Sequence, residues 1–387
     1  DGGTLQIGIG SLSDALVNAL VLRPEHPDDH ARLAEALDAP VPPGIGSDEP
    51  FEQGLYGASE MFMDGFMHLY RAGILKREVF DDIDLMRRAN AGEDVEGADS
   101  GAIMDGGFFL GSEPFYAFLR GLEEGERPRF RMHGVGRINQ LYGGNEALEI
   151  EQRRHARFIN TCMMMTATGA AVSDGLDDYR VVSGVGGQYN FVAMAHAMDD
   201  GRSVLMLRST RDGGNGVSSN VVWQYPHNTI PRHLRDLVVT EYGIADLRGR
   251  TDEECIQAMI GITDARFQDD IAERAKAAGK LDRGWRIPDS ARANTPERLH
   301  EAFAPFRADG AFPDYPFGSD FTEVERALIP ALKRLKAISS SRIDVLKAAW
   351  RGRPGDHPEA MRRLSLDSPA NLRERLTARA LAAMLDD

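Results

Sequence analysis

Cysteine is scarce: Cys162 and Cys255 are the only two in 387 residues. They form no CxxC pair, so a disulfide framework is excluded and a reducing compartment, the cytoplasm, is the expected setting. Positive charge is also in short supply. With 45 basic against 60 acidic side chains and a formal net charge of −15, the chain repels nucleic acid and anionic membrane surfaces, and neither is expected as a partner. No uninterrupted apolar run approaches the roughly 18 to 20 residues needed to cross a bilayer. No basic stretch followed by an apolar one opens the chain as a secretion signal would, and a soluble protein is expected. A GxSxG elbow, a Cys-His nucleophile motif and a Walker-type lysine loop are all missing, which argues against serine, thiol and nucleotide-driven chemistry.

What is present is a globular composition, 42% hydrophobic, enough for a substantial core in one large domain or two. The chain starts on "DGGTLQIGIG", strand-like at once and without an initiator Met, so it is expected to begin inside a longer chain. Several segments share one grammar of apolar run, glycine turn and helix-like stretch. "TLQIGIG" leads into "SLSDALVNALVL", where Leu12, Ala15, Leu16 and Leu20 fall at helical spacing. "YRVVSGVGGQYNF" leads into "FVAMAHAM", and "RSVLMLRST" and "LRDLVVTEYGIADL" add two buried-type strands. This alternation predicts an α/β fold with a largely parallel sheet flanked by helices, whose ligands sit at glycine loops on the carboxyl ends of strands.

Residues 23–50 are rich in Pro and Asp and read as a solvated insertion, and 85–101 as an exposed loop. Residues 1–282 are expected to form the main domain, and 283–387 a linker and helical extension in which no residue suggests chemistry. Within it, "FTEVERALIPALKRLKA" reads as an amphipathic helix with Thr322 and Glu325 in capping-box spacing and Pro330 bending it. "SPANLRERLTARALAAML" reads as another helix, with Ser368 as cap and Pro369 in its first turn.

Three features invite a chemical reading. In "SGVGGQYNF", Gly184, Gly186 and Gly187 let backbone N–H groups approach a ligand without Cβ interference; the same loop also serves as a tight structural turn. "LQIGIG", with Ile9 and Gly10, poses the same alternative. Glu60 in "GLYGASEMFMDGF" stands among glycines, methionines and aromatics. There it is either a cap or salt-bridge partner, or a desolvated carboxylate with raised nucleophilicity. "HPDDH" spaces His26 and His30 like a metal pair, but Pro27 argues against a regular helix through it, and a solvated loop with no metal is expected. "CMMMT" at 162–166 reads as core filling.

Taken together, "LQIGIG…DAL", "GASEMFMDG", "INQLYGGNEAL…FINTC", "SGVGGQYNF" and "LVVTEYGIADLRGRT" resemble the acetyl-CoA hydrolase / 4-hydroxybutyrate CoA-transferase family, in that family's order. The resemblance covers residues 1 to about 282 and corresponds to the second half of the family's two-part chain. It implies a CoA-transferase-type α/β fold, coenzyme A as acyl-CoA substrate, and a small carboxylate or water as acceptor. It also implies that Glu60 is the nucleophile, passing through an acyl anhydride and a glutamyl-CoA thioester. Oxyanion donors are implied at the Ile9 backbone with Gly10, the Asn139 amide and the Gly187 backbone, and a CoA-facing loop at Gly184, Gly186 and Gly187. Glu241 matches an acid near the active site that orients substrate. The chain keeps Arg208 and Arg211 but lacks the later lysine-containing segment of relatives. Partners implied are the family's first half, which has no counterpart here, and a second copy of the chain. Two other readings stand beside this one: a non-catalytic CoA-binding module, and a nucleotide-dependent acyl-CoA ligase.

Overall fold

The computed structural model describes residues 1–387 except 38–40, 47–49, 96–100, 214–215, 314, 340 and 387. The described chain divides into two compact units, Asp1–Pro316 and Phe317–Asp387. The first is built on an eight-stranded sheet: β1 (Thr4–Ile7), β2 (Tyr56–Phe62), β3 (Met104–Phe109), β4 (Phe130–Met132), β5 (Arg157–Thr161), β6 (Arg202–Met206), β7 (Leu237–Thr240) and β8 (Gly243–Asp246). Their order is β8-β7-β6-β5-β1-β2-β3-β4. Every pairing is parallel except β7 with β8, so the α/β sheet expected from the strand–helix alternation is the one observed. Central strands of such a sheet are covered on both faces, and all four residues of β1 are buried. Its one polar side chain there with hydrogen-bonding capacity at both ends, Gln6, exchanges amide bonds with Asn160 of β5 at 3.2 and 3.0 Å, which satisfies both groups inside the core.

Four helices position the site and its surroundings: α1 (Ser11–Glu25), α2 (Pro27–Leu37), α3 (Gln188–Ala197) and α4 (Pro296–Ala308). The region read as a solvated insertion is therefore helical up to Leu37 and a turn with irregular chain over 41–46; residues 38–40 and 47–49 lie outside the described residues. His26 ends α1 and Pro27 opens α2, because proline fits best in a first turn whose N–H groups have no partner. Residues 85–90 likewise belong to the helix Ile83–Asn90, capped by the Asp82 carboxylate on the Leu85 N–H at 2.7 Å, and 96–100 lie outside the described residues.

The run before the glycine loop is not a strand. Residues 179–182 contribute a single bridge, Gly175 with Val181, and Tyr179 and Val181 are 73% and 76% exposed. High β-propensity forms a strand only where a partner strand is available. "LRDLVVTEYGIADL" folds as two strands, the hairpin β7–β8, rather than one.

The start of the segment read as a linker packs into the first unit: Trp285 and Ile287 lie against the cluster around Ile256 and Met259, and α4 follows. In the second unit, α5 (Glu323–Ile338) carries the expected capping box between Thr322 and Glu325. The last helix, α6 (Leu372–Asp386), starts later than its sequence suggests. Asn371, not Ser368, accepts from the Glu374 N–H at 2.9 Å, while Glu374 returns to the Ala370 N–H at 2.7 Å, a reciprocal cap that Ser368 is too far upstream to make.

Candidate active site

Parallel strands deliver their following residues to one edge of the sheet. Glu60 lies near the carboxyl end of β2, between β1 and β3, half-buried, with Ala58 and Phe62 fully buried on either side. Its Oε2 accepts a hydrogen bond from Asn139 Nδ2 at 2.8 Å. Asn139 caps the short helix Val135–Ile138 through its own N–H to Val135 O at 2.9 Å. Its loop is held from beneath by buried Arg153, whose guanidinium donates to Arg137 O at 2.9 Å and Gln140 O at 3.1 Å. With Nδ2 spent on Glu60, the buried Asn139 Oδ1 has no partner among the described residues. Nothing in the sequence pattern marks Arg153 as the support of this loop.

Gly187 closes the third side. It is the N-cap of α3, and a Cβ built on it falls 2.1 Å from Glu60 Oε2 and 2.7 Å from Asn139 Nδ2. Only glycine leaves room for that carboxylate. The start of α3 is tied down by Gln188 Nε2 donating to Thr161 O at 2.8 Å. Gly186 has φ +57°, a left-handed turn that suits glycine, and like Gly184 it faces open space. The structure thus gathers Glu60, Asn139 and Gly187 at one point and leaves Gly184 and Gly186 exposed beside it.

Ile9 and Gly10 lie in the turn after the neighbouring strand β1 and line a cavity of about 840 Å³ together with Glu241, Cys162, Arg208 and Arg211; Glu60 lies outside that lining. Glu241, in the β7–β8 turn, accepts from the Ser209 N–H at 2.7 Å. Burial pushes the Cys162 thiol up to about 12, which leaves no thiolate at neutral pH. The wall opposite these residues is α4, through His300, Phe303 and Arg307. These cavity residues lie in the segment from which no chemistry was expected; no motif announces them, since only packing brings α4 over the sheet edge. Of the methionine run, Met164 and Met165 are buried as core, whereas Met163 lines the cavity.

The fold is of the CoA-transferase class. Residues 111–275 match the model of the Acetyl-CoA hydrolase/transferase C-terminal domain, in agreement with the resemblance carried by the chain's motifs. The 4-hydroxybutyrate coenzyme A transferase of Clostridium kluyveri is 25% identical over 279 residues, 71% of this chain and 51% of that one. The probable butyrate:acetyl-CoA coenzyme A-transferase of Syntrophomonas wolfei is 32% identical over 121 residues, 30% of this chain and 27% of that one. The crystal structure of RipA from Yersinia pestis, 22% identical, shares the fold over 72% of this chain and 50% of that one with a TM-score of 0.50. The chain thus spans about half the length of the first relative and of RipA.

Proposed function

We propose that this chain carries the nucleophile of an acyl-CoA:carboxylate CoA-transferase or acyl-CoA hydrolase, and that the nucleophile is Glu60. The observation that carries the reading is the meeting of a half-buried carboxylate, a fixed amide donor at 2.8 Å and a glycine that leaves space for both. A Glu60 carboxylate oxygen attacks the thioester carbonyl carbon, the C–S bond breaks, and CoA leaves as thiolate with an acyl–glutamyl anhydride behind it. The thiolate then attacks the glutamyl carbonyl, releasing the acyl group as a free carboxylate and leaving a glutamyl-CoA thioester. An acceptor carboxylate reverses the sequence to form a new acyl-CoA; water instead releases free CoA and restores Glu60. Each tetrahedral intermediate bears an oxyanion, and Asn139 Nδ2 and the Gly187 backbone are the donors at hand, each worth about 3 to 4 kcal/mol in such sites. Glu241 orients the substrate from the adjoining cavity, and the backbone at Ile9 and Gly10 faces the same space.

A further polypeptide completes the site in this reading. Phe108, Phe109 and Leu110, at the end of the strand beside Glu60, are 40%, 48% and 54% exposed, and apolar surface gathered at one edge marks an interaction face. The family's first half, or a second copy of the chain, is the expected cover. The test is incubation of the protein with acyl-CoA, borohydride reduction and mass spectrometry. Reduction of Glu60 to its alcohol is expected in the wild type and not in Glu60→Gln, whose carbonyl still accepts from Asn139 and so preserves the local fold. An unmodified Glu60, or turnover retained in the variant, overturns the assignment.

A further inference from the structure

At the opposite, amino-terminal edge of the sheet lies a second cavity of about 800 Å³. Its walls are the last turn of α3 at His196, Arg202 at the start of β6, the turn Arg232–Leu234, and the turn after β8 with Arg248 and Arg250. In a chain of net charge −15, this concentration of guanidinium groups needs a reason. Part of it is internal pairing: Arg248 spends its fork on Asp246 at 2.9 and 2.8 Å. Asp252, by contrast, takes three cations at once, Arg232 at 2.9 Å, Arg235 at 3.2 Å and Lys280 at 3.1 Å. One carboxylate neutralises one charge, so this cluster keeps a surplus. Arg250 adds to it, with no side-chain hydrogen bond or ion pair among the described residues, and the buried Arg202 Nε has no acceptor there either. The acids in the lining are Asp199 and Asp236. Asp236 is turned onto the Ser203 N–H at 2.7 Å, with its other oxygen 3.8 Å from Arg248, so its charge is met in part within the protein.

We propose that this cavity binds a phosphorylated small molecule, at a site separate from Glu60. Guanidinium forks match pairs of phosphate oxygens, and the volume falls in the range of small-molecule pockets, roughly 300 to 1,000 Å³. The ligand is inorganic di- or polyphosphate, or the phosphate end of a nucleotide. Helix α3 joins the two sites, with Gly187 at its N-terminus beside Glu60 and His196 in its last turn at this cavity.

The test is calorimetric titration of the full chain with pyrophosphate and, separately, AMP, at low and at moderate salt. One site per chain is expected for at least one probe, weakening as salt rises and unaffected by Glu60→Gln. A tighter response to AMP assigns a nucleotide, and a tighter response to pyrophosphate an inorganic anion. The double variant Arg232→Ala, Arg250→Ala is expected to lose at least tenfold in affinity. It removes exposed side chains and leaves Asp252 paired with Arg235 and Lys280, so its melting temperature stays near that of the wild type. Absence of binding at millimolar probe, an affinity unchanged in the double variant, or complete displacement of the probe by CoA in both proteins overturns the proposal.

Discussion

Replacing Gly187 with alanine separates the chemistry of the site from its folding. The backbone there has φ −79° and ψ −1°, a conformation alanine adopts freely, and loss of glycine entropy in the unfolded chain is itself mildly stabilising. Stability is therefore expected to change by less than about 1 kcal/mol. The added methyl group, however, starts 2.1 Å from Glu60 Oε2 and 2.7 Å from Asn139 Nδ2. Both are ends of side chains, so they yield rather than the backbone, and the carboxylate must retreat by about 1 Å, a displacement worth about 100-fold in rate at a reacting centre. The hydrogen bond from Asn139 is lost with it. Thiol release from acyl-CoA and the rate of Glu60 labelling, set beside a denaturation curve, read the two effects separately. Gly186→Ala is the internal control: its Cβ meets open space, but φ +57° costs about 1 to 2 kcal/mol for a side chain. It is expected to lose stability and, although it sits in the loop read as facing CoA, to slow labelling less than Gly187→Ala does. Wild-type labelling in Gly187→Ala, or unfolding of that variant, refutes the reasoning.

The remaining expectations concern stability. Asp105 is buried beside the site, accepting two bonds of 2.7 Å from Arg131 and one of 2.7 Å from the Tyr56 hydroxyl. Burial opposes its ionisation, but His133, Arg131 and Tyr56 outweigh burial and hold the carboxyl well below its usual range. Its contribution is thus fully present above the unfolded value of about 4 and is lost as pH falls below it. Arg131→Met leaves an uncompensated buried charge; chemical denaturation at pH 7 is expected to show a loss of about 3 to 5 kcal/mol, with a shallower fall in stability below pH 4 than in the wild type. Thr322→Ala removes the capping box at the start of α5. A loss of about 1 kcal/mol is expected in the unfolding of the C-terminal unit, and a variant as stable as the wild type would refute a stabilising role for the cap.

The local grammar was legible in the residues alone. Apolar runs followed by glycine and a helical stretch specify parallel strands with turns at their carboxyl ends, and the Thr322–Glu325 spacing specifies a helix start, because these depend on neighbours within one turn of chain. Glu60 was legible as a carboxylate in apolar company, and its family position through the motif around it. Its partners were not readable from local pattern: Asn139 lies 79 positions further on, and only the order of strands carries its loop, propped on Arg153, to the end of β2. The same long-range dependence explains the misreadings. Residues 179–182 have the composition of a strand but no neighbour to pair with, whereas the Pro-rich stretch after Leu22 becomes helical with α2 packed on α4, Arg298 reaching Leu37 O at 3.2 Å. Side-chain chemistry thus set which elements were possible, and burial against distant partners decided which of them formed and which functional groups met.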